Sequence, residues 1–262
     1  MQRVNGKVVI VTGGASGIGE ADVRLLAEQG ARVILADVEE EKGRAVAQRT
    51  GNAEFVRHDV SSEADWEDLI ARVVARYGRL DGLVNNAGII RVGDPCTITL
   101  DALRAMMTVN LEGTVLGCKH AIPAMIDSGG GSIVNIASIG AVSGLYFYGG
   151  YCASKGAVAS YTRSVAAYCA VNKLGIRCNT VLPGGVDTPL VSGLEAEMAA
   201  QMPGMRIPPS APVQPDAPQM RSAVPEDIAN AVVYLISDES SFMSGGEIRI
   251  DNCASIIAAV VE

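Results

Sequence analysis

The chain has 262 residues, of which 48% are hydrophobic and 19% charged, with a formal net charge of −8. This length suits one domain with a large core. The acidic balance argues against nucleic acid as a partner, because phosphate backbones require clustered Lys and Arg. No apolar run approaches the ~20 residues that span a bilayer, so no membrane association is predicted. Six cysteines without a C-x-x-C pair and only two histidines favour a reduced, cytoplasmic protein without a metal site.

The first element is a predicted strand over 7–12 that reads as buried on both faces, as in a parallel sheet. A glycine-rich turn follows, and then a helix predicted to end at Gly30. Glycines allow a tight turn and a close backbone approach, while a helix N-terminus offers unpaired N–H groups to a pyrophosphate. Strand, glycines and helix in this order predict a dinucleotide site at Gly13, Ser16, Gly17, Ile18 and Gly19.

The second predicted strand, 31–36, leads to Asp37, eighteen positions beyond Gly19. A carboxylate at this place accepts hydrogen bonds from the ribose hydroxyls of the adenosine and repels a 2′-phosphate. Neither Val38 nor the pair Ala15 and Ser16 supplies a compensating cation. The pattern therefore predicts NAD rather than NADP as the cofactor. The alternative is that Asp37 only caps a turn.

The rest of the chain alternates between strand and helix signals. Ser62 and Asp65 predict a capping box for a helix that stops near Gly78, and a long helical stretch is predicted over 101–125. Further strands are predicted at 53–58, 80–84, 132–138, 176–182 and 247–250. Repeated βα units indicate an α/β protein with one doubly wound parallel sheet and helices on both faces, forming a single domain over 1–262.

The chemistry is predicted to centre on Tyr151 and Lys155. Residues four apart on a helix share a face, and a nearby ammonium favours the phenolate and lowers the pKa of a tyrosine. Such a tyrosine exchanges protons with an alcohol or carbonyl near neutral pH. The spacing alone arises by chance on many helices, but here it follows a predicted buried strand that ends in Ser138. Asn110 lies among apolar neighbours and must find hydrogen-bond partners, either in a structural brace or in an ordered water.

Several motifs occur together in one order. T-G-x-x-x-G-x-G matches 12–19, N-N-A-G matches 85–88, and Ser138 precedes Tyr151 by thirteen residues. On these motifs the chain resembles the short-chain dehydrogenase/reductase family over roughly 5–253. Within that family, 56–66 and 237–245 resemble the bacterial 3β/17β-hydroxysteroid dehydrogenases, and the similarity is weaker around 189–224.

The resemblance implies a Rossmann-type fold, hydride transfer to NAD without a metal, and a homotetramer. It implies that Tyr151 is the general base in oxidation and the acid in reduction, and that Lys155 lowers the pKa of Tyr151 and binds the nicotinamide ribose. It also implies that Ser138 orients the substrate oxygen and that Asn110 holds a water. The implied substrate residues are Ser138, Tyr148 and Tyr151. The further implied cofactor-binding residues are Asp59, Val60, Asn86, Ala87, Gly88, Tyr151, Lys155, Val186 and Thr188.

The segment 189–224 is expected to be a substrate lid. Eight of the eleven prolines lie in this segment together with Pro225, and four of the nine methionines lie in the segment itself. Long ordered loops often cover active sites. The alternative is that this segment is a poorly ordered loop on the surface. The apolar tail, 256–261, is expected at a subunit interface. These features indicate an NAD-dependent secondary-alcohol dehydrogenase for a small hydrophobic alicyclic or steroid-like alcohol or ketone. A reductase of a small ketone or 3-oxoacyl thioester, and a non-catalytic NAD-binding regulator, are the other hypotheses.

Overall fold

The computed structural model describes residues 2–194 and 222–255. Within them seven strands form one parallel sheet in the order β3-β2-β1-β4-β5-β6-β7. The chain runs outward from β1 to β3, returns to the middle, and then runs from β4 to β7, which confirms the predicted doubly wound sheet. The strands are β1 (Val8–Thr12), β2 (Arg32–Asp37), β3 (Ala53–Arg57), β4 (Gly82–Asn85), β5 (Gly131–Ile136), β6 (Ile176–Pro183) and β7 (Glu247–Ile250).

Helices cover both faces of the sheet, and each face has its own apolar core. The helices are α1 (Gly17–Glu28), α2 (Glu40–Thr50), α3 (Glu63–Tyr77), α4 (Leu100–Met106), α5 (Gly113–Asp127), α6 (Gly149–Val171), α7 (Pro189–Ser192) and α8 (Pro225–Ile236). One core joins α3, α5 and α6 to the sheet and includes the fully buried Trp66. The other joins α1, α2 and α8 to the opposite face. All five residues of β1 are buried, as expected for a strand covered on both sides.

The helical stretch predicted over 101–125 is continuous but not uniform. A π-helical turn, Met107–Glu112, separates α4 from α5. Such turns insert extra residues into a helix and are frequent at functional sites. This turn places Asn110 in the interior, fully buried.

The predicted capping box at the start of α3 forms only in part. The Asp65 N–H donates to Ser62 Oγ at 3.2 Å. The Asp65 carboxylate, however, accepts from the Ser62 hydroxyl and from the Asp59 N–H at 2.8 and 2.9 Å, rather than from the Ser62 N–H. The helix start is thereby tied to the end of β3. The helix ends as predicted at Gly78, whose φ of 71° suits glycine.

Within the described ranges, no helix is both long and apolar enough to cross a membrane. The expected lid is described only at its two ends, 189–194 and 222–224, and its central part, 195–221, lies outside the described residues. The tail 256–261 also lies outside them.

Candidate active site

A cleft of about 660 Å³ opens at the carboxyl ends of β1 to β6, within the range typical of ligand sites. Parallel sheets bind ligands at this edge, where the strand order reverses. The structure brings most of the predicted site residues together here. Those lining the cleft are Gly13, Ser16, Gly17, Ile18, Asp37, Asp59, Val60, Asn86, Ala87, Gly88, Ser138, Tyr151, Lys155, Val186 and Thr188. Gly19, Asn110 and Tyr148 do not line it.

The glycine turn after β1 forms one wall, and sterics explain its composition. Gly13 has a φ of 64°, and a Cβ there would lie 2.8 Å from the Ala87 Cα. A Cβ on Gly19 would lie 2.1 Å from the Gly13 carbonyl oxygen, so Gly19 permits the helix to pack on the turn rather than touching a ligand. The Asn86 side-chain amide donates to the Thr12 and Gly13 carbonyls at 3.0 and 3.1 Å. The turn is therefore rigid before any ligand arrives.

The first turn of α1 faces this wall. The Ser16 side chain makes no capping hydrogen bond, so it leaves the first helical N–H groups to an anionic ligand. A Cβ on Gly17 would come within 3.3 Å of the Thr188 side chain across the cleft. The backbone cradle thus fits a pyrophosphate: it is narrow, and it presents donors rather than side chains.

Asp37 serves as a turn anchor and also lines the cleft. Its Oδ2 accepts from the Ala15 N–H at 2.9 Å, and its Oδ1 accepts from the Glu39 N–H at 2.9 Å. Asp37 therefore caps a turn, as one alternative from the sequence expected, and also faces the cleft, as the other requires. The carboxylate is fixed in direction while it faces the cleft.

The end of β3 supplies the neighbouring part of the wall. Asp59 Oδ1 accepts from the Ser61 N–H and hydroxyl at 2.9 and 2.7 Å. Behind it, the buried ring of His58 packs edge-on against Trp66, with ring centroids 4.4 Å apart. Burial lowers the pKa of His58, although the Asp65 and Asp59 carboxylates oppose that shift. His58 is therefore neutral and packs against Trp66, and it also lines the cleft.

Ser138, Tyr151 and Lys155 meet beyond β5. Ser138 precedes a short 3₁₀ turn, and its Oγ accepts from the Gly140 N–H at 3.1 Å. Burial raises the pKa of Tyr151 to about 12, and a hydrogen bond with Ser138 opposes that rise. Lys155 is 3% exposed. Its Nζ donates to the Ile136 carbonyl at 2.8 Å and lies 5.8 Å from the centroid of the Tyr151 ring.

The expected lowering of the pKa of Tyr151 by Lys155 stays a prediction, and in this structure burial raises that pKa instead. The pKa of the phenol lies above its ordinary value because burial outweighs the help from Ser138, and Lys155 is not among the groups that shift it. Burial also lowers the pKa of Lys155 to about 8. The Lys155 ammonium is directed to the Ile136 carbonyl.

Asn110 braces the site from behind. Its side-chain amide donates to the Ile89 carbonyl and to Ser154 Oγ, both at 2.9 Å, and its Oδ1 accepts from the Ile89 N–H at 2.8 Å. Ser154 Oγ in turn donates to the Tyr151 carbonyl at 2.8 Å. Protein partners thus engage both amide donors and Oδ1. Of the two alternatives for Asn110, this geometry matches the structural brace, which joins the loop after β4 to α6.

The substrate side is apolar. Tyr148, an expected substrate residue, packs in a small cluster with Phe147 and Tyr151 and lies outside the cleft lining. Leu190 and Val191, at the start of the expected lid, do line the cleft. No sequence pattern marks these two residues, because their place depends on how the chain turns after β6.

Two charged residues beside Asp37 carry no clear site signal in the sequence. Glu39 and Lys42 line the cleft beside Asp37, and Lys42 Nζ lies 3.0 Å from Glu39 Oε2. The signal was the run of charges directly after β2, which reads as an ordinary solvated helix start.

Comparisons with known proteins agree with this geometry. A family model described as enoyl-(acyl carrier protein) reductase matches residues 13–254. The chain is 41% identical to a 3-beta-hydroxysteroid dehydrogenase of Comamonas testosteroni, over 95% of this chain and 96% of that one. It is 40% identical to a cis-4-hydroxycyclohexanecarboxylate dehydrogenase of Sinomonas cyclohexanicum, over 94% and 95% of the two chains. A solved short-chain type dehydrogenase/reductase from Mycobacterium marinum superposes with a TM-score of 0.85 at 29% identity, covering 98% of each chain. The relatives match nearly end to end and are dehydrogenases, so this chain is an oxidoreductase that belongs to the short-chain dehydrogenase/reductase family.

Proposed function

We propose that the protein is an NAD-dependent dehydrogenase that interconverts an alicyclic or steroid-like secondary alcohol and its ketone, with Tyr151 as the general acid and base. The observation that carries this proposal is the hydrogen-bonded pair of Ser138 and Tyr151, which faces the same cleft as the glycine turn. The named activities of the relatives, on hydroxysteroids and on a hydroxylated cyclohexane acid, support the substrate class.

The cleft fits a dinucleotide at both ends. The glycine cradle and the first turn of α1 would hold the pyrophosphate, Asp37 the adenosine ribose, and Asp59 with Val60 the adenine. Lys155, Val186 and Thr188 would hold the nicotinamide end. When bound, the nicotinamide ring supplies the hydride acceptor or donor. A fixed carboxylate at Asp37 supports NAD over NADP by at least about a hundredfold in kcat/KM, because two like charges ~4 Å apart repel by several kcal/mol.

The protein's own part in the reaction is proton transfer and charge stabilisation. The substrate oxygen would lie between the Ser138 hydroxyl and the Tyr151 phenol, where the hydroxyl stabilises negative charge on that oxygen. A phenol with a pKa of about 12 is almost fully protonated at pH 7, so the described form is ready to donate a proton to a carbonyl. Alcohol oxidation needs the phenolate. The nearby Lys155 ammonium would favour the phenolate once a ligand draws it away from the Ile136 carbonyl.

Asn110 acts in this scheme as a positioning residue. Its side chain fixes the loop that carries Ile89 and, through Ser154, the first turn of α6 that carries Tyr151. A water-holding role would fall to its backbone carbonyl, which already accepts from the Thr114 hydroxyl at 2.8 Å.

The segment 189–224 is proposed as the substrate lid of a single catalytic domain. Leu190 and Val191 line the cleft where the segment begins. Where it returns, Ala223 pairs with Val186 in a parallel bridge, and the Asp187 N–H donates to the Ala223 carbonyl at 2.9 Å. Both ends of the segment are thus attached at the nicotinamide end. An apolar substrate gains about 25 cal/mol per Å² of surface buried beneath such a cover.

A homotetramer is proposed from the exposed apolar side chains on two neighbouring helices. Tyr168 and Val171 on α6 are 56% and 80% exposed, and Ile126 on α5 is 42% exposed. Apolar groups gathered in this way favour contact with another copy of the chain. Light scattering after size exclusion would give the mass of the assembly directly.

The test is a kinetic panel that follows the absorbance of the reduced nicotinamide. Cyclohexanol, a decalinol and a hydroxysteroid are compared with 2-propanol, each with NAD and with NADP. Tyr151→Phe should lower kcat by a factor of about 10² to 10⁴. Tyr161→Phe is the matched control, because Tyr161 is on the same helix, and burial likewise raises its pKa to about 12, but it does not line the cleft.

Two results would contradict the proposal. A Tyr151→Phe enzyme that keeps more than about a tenth of the wild-type kcat would exclude the phenol as general acid and base. Equal kcat/KM for 2-propanol and the cyclic alcohols would exclude the substrate class.

A further inference from the structure

Four charged side chains share the adenosine end of the cleft: Asp37, Glu39, Lys42 and Asp59. Resting on the proposed nucleotide site, we propose that Glu39 is a specificity-determining residue. It neutralises Lys42, a cation that would otherwise bind the 2′-phosphate of NADP. Cofactor preference would then depend on Glu39 and Lys42 as well as on Asp37. Lys42 would be a potential phosphate ligand whose charge is neutralised by Glu39.

The Asp37 carboxylate cannot turn away from a bound phosphate. Both of its oxygens accept backbone N–H groups, from Ala15 and Glu39, at 2.9 Å. Turning the carboxylate away from a phosphate would break two charge-assisted hydrogen bonds. Its repulsion of a 2′-phosphate is therefore a constant background, and any adjustment must come from its neighbours.

The ion pair of Glu39 and Lys42 can separate without disturbing the fold. Lys42 Nζ and Glu39 Oε2 are 3.0 Å apart, and their side chains are 66% and 57% exposed. Ion pairs this exposed contribute little to stability, so breaking the pair leaves the fold intact. The Glu39 side chain makes no capping hydrogen bond to α2, so its charge is not required at the helix start. Its identified contact is Lys42.

Lys42 is suited to the role that Glu39 suppresses. The described residues that line the cleft include two lysines, Lys42 and Lys155, and Lys155 lies at the opposite, nicotinamide end. A lysine carries its charge on a flexible four-carbon stem and reaches a phosphate as a point charge. Loss of the Glu39 charge makes this end of the cleft one unit less negative and frees the Lys42 ammonium to face the cleft.

The experiment measures binding rather than turnover. Isothermal titration gives the Kd of NADH and of NADPH for the wild type, Glu39→Gln, and the double variant Glu39→Gln/Lys42→Gln. Glu40→Gln is the matched control. It removes the same charge one residue further along, but Glu40 pairs with Arg44 at 2.7 Å and does not line the cleft.

Glu39→Gln should tighten NADPH binding by about tenfold relative to NADH, the effect of one favourable charge contact in partly screened surroundings. The double variant should lose that gain. The double variant returns to the net charge of the wild type, so a general charge effect is tested by Glu40→Gln, which has the same net charge as Glu39→Gln. Glu40→Gln should leave the NADPH to NADH ratio near that of the wild type.

The outcomes separate this inference from the proposed function. If the wild type binds NADH but Glu39→Gln shows no gain, or Glu40→Gln shows an equal gain, the role of Glu39 is refuted and the nucleotide site stands. If the double variant keeps the gain, Lys42 is not the phosphate ligand. If the wild type binds neither nucleotide, the proposed function fails and this inference fails with it.

Discussion

Replacing Lys155 with methionine should make the ligand-free protein more stable at neutral pH. Burial lowers the pKa of this lysine from 10.5 to about 8. Because the folded pKa lies below the unfolded one, the fold carries the full cost of a buried ammonium below pH 8. That cost is relieved as the pH rises toward 10.5. At 1.36 kcal/mol per pKa unit it amounts to about 3 kcal/mol at pH 7.

The substitution also has a cost. Methionine is close to lysine in shape but cannot donate to the Ile136 carbonyl, which Lys155 Nζ contacts at 2.8 Å, and a lost hydrogen bond is worth about 1 kcal/mol. The net expectation is an increase of about 2 kcal/mol in the free energy of unfolding at pH 7. At pH 9.5 the gain should fall to roughly zero, because only about one unit of the pKa difference then remains.

Urea denaturation at equal protein concentration, at pH 7 and at pH 9.5, measures both quantities. Lys119→Met is the control, since Lys119 is 59% exposed and pairs with Glu63 on the surface, and it should show no such dependence on pH. A destabilised Lys155→Met protein at pH 7 would refute the reasoning, and so would a gain that stays the same at pH 9.5. The expected result means that the lysine is kept at a cost in stability, as is common for groups in active sites.

Three further predictions concern the cleft. Alcohol oxidation should accelerate between pH 7 and 9, because burial raises the pKa of Tyr151 and only oxidation needs the phenolate. Ketone reduction should change little over the same range. Profiles of kcat/KM against pH in both directions check this, and a flat oxidation profile contradicts it. Ser138→Ala should lower kcat by about a hundredfold through loss of one donor to the substrate oxygen, a reading that an unchanged kcat would exclude. Gly19→Ala should cost about 1–3 kcal/mol of stability, because its Cβ would lie 2.1 Å from the Gly13 carbonyl oxygen. The control Gly156→Ala, with its nearest neighbour at 3.9 Å, should be neutral or stabilising. Urea denaturation measures both variants.

The alternation of strands and helices, the doubly wound parallel sheet and the glycine turn could be predicted from the sequence because they depend on local patterns. Buried apolar runs, glycines and caps identify βα units, and parallel units place every strand end on one edge. The position of Asp37 at the end of β2 follows from the same pattern.

What the sequence could not supply depends on burial and on contacts between distant elements. The π-helical turn around Asn110 leaves no clear signal in the helical pattern, yet it determines that the amide binds Ile89 and Ser154. The pKa of Tyr151 depends on how completely protein atoms surround the phenol, and helical spacing from Lys155 gives no measure of that. Glu39 and Lys42 read as surface charges until the fold placed them on the cleft wall.

The packing of Trp66 provides the protein with an internal optical probe. It is the single tryptophan of the chain; its indole N–H donates to the Val60 carbonyl at 3.0 Å, and its ring packs on His58. Val60 lines the cleft on its other side, so a ligand that displaces Val60 alters the surroundings of the indole directly. The emission of the unlabelled protein should therefore report occupancy of the cleft beside Val60 separately from events beside Tyr151.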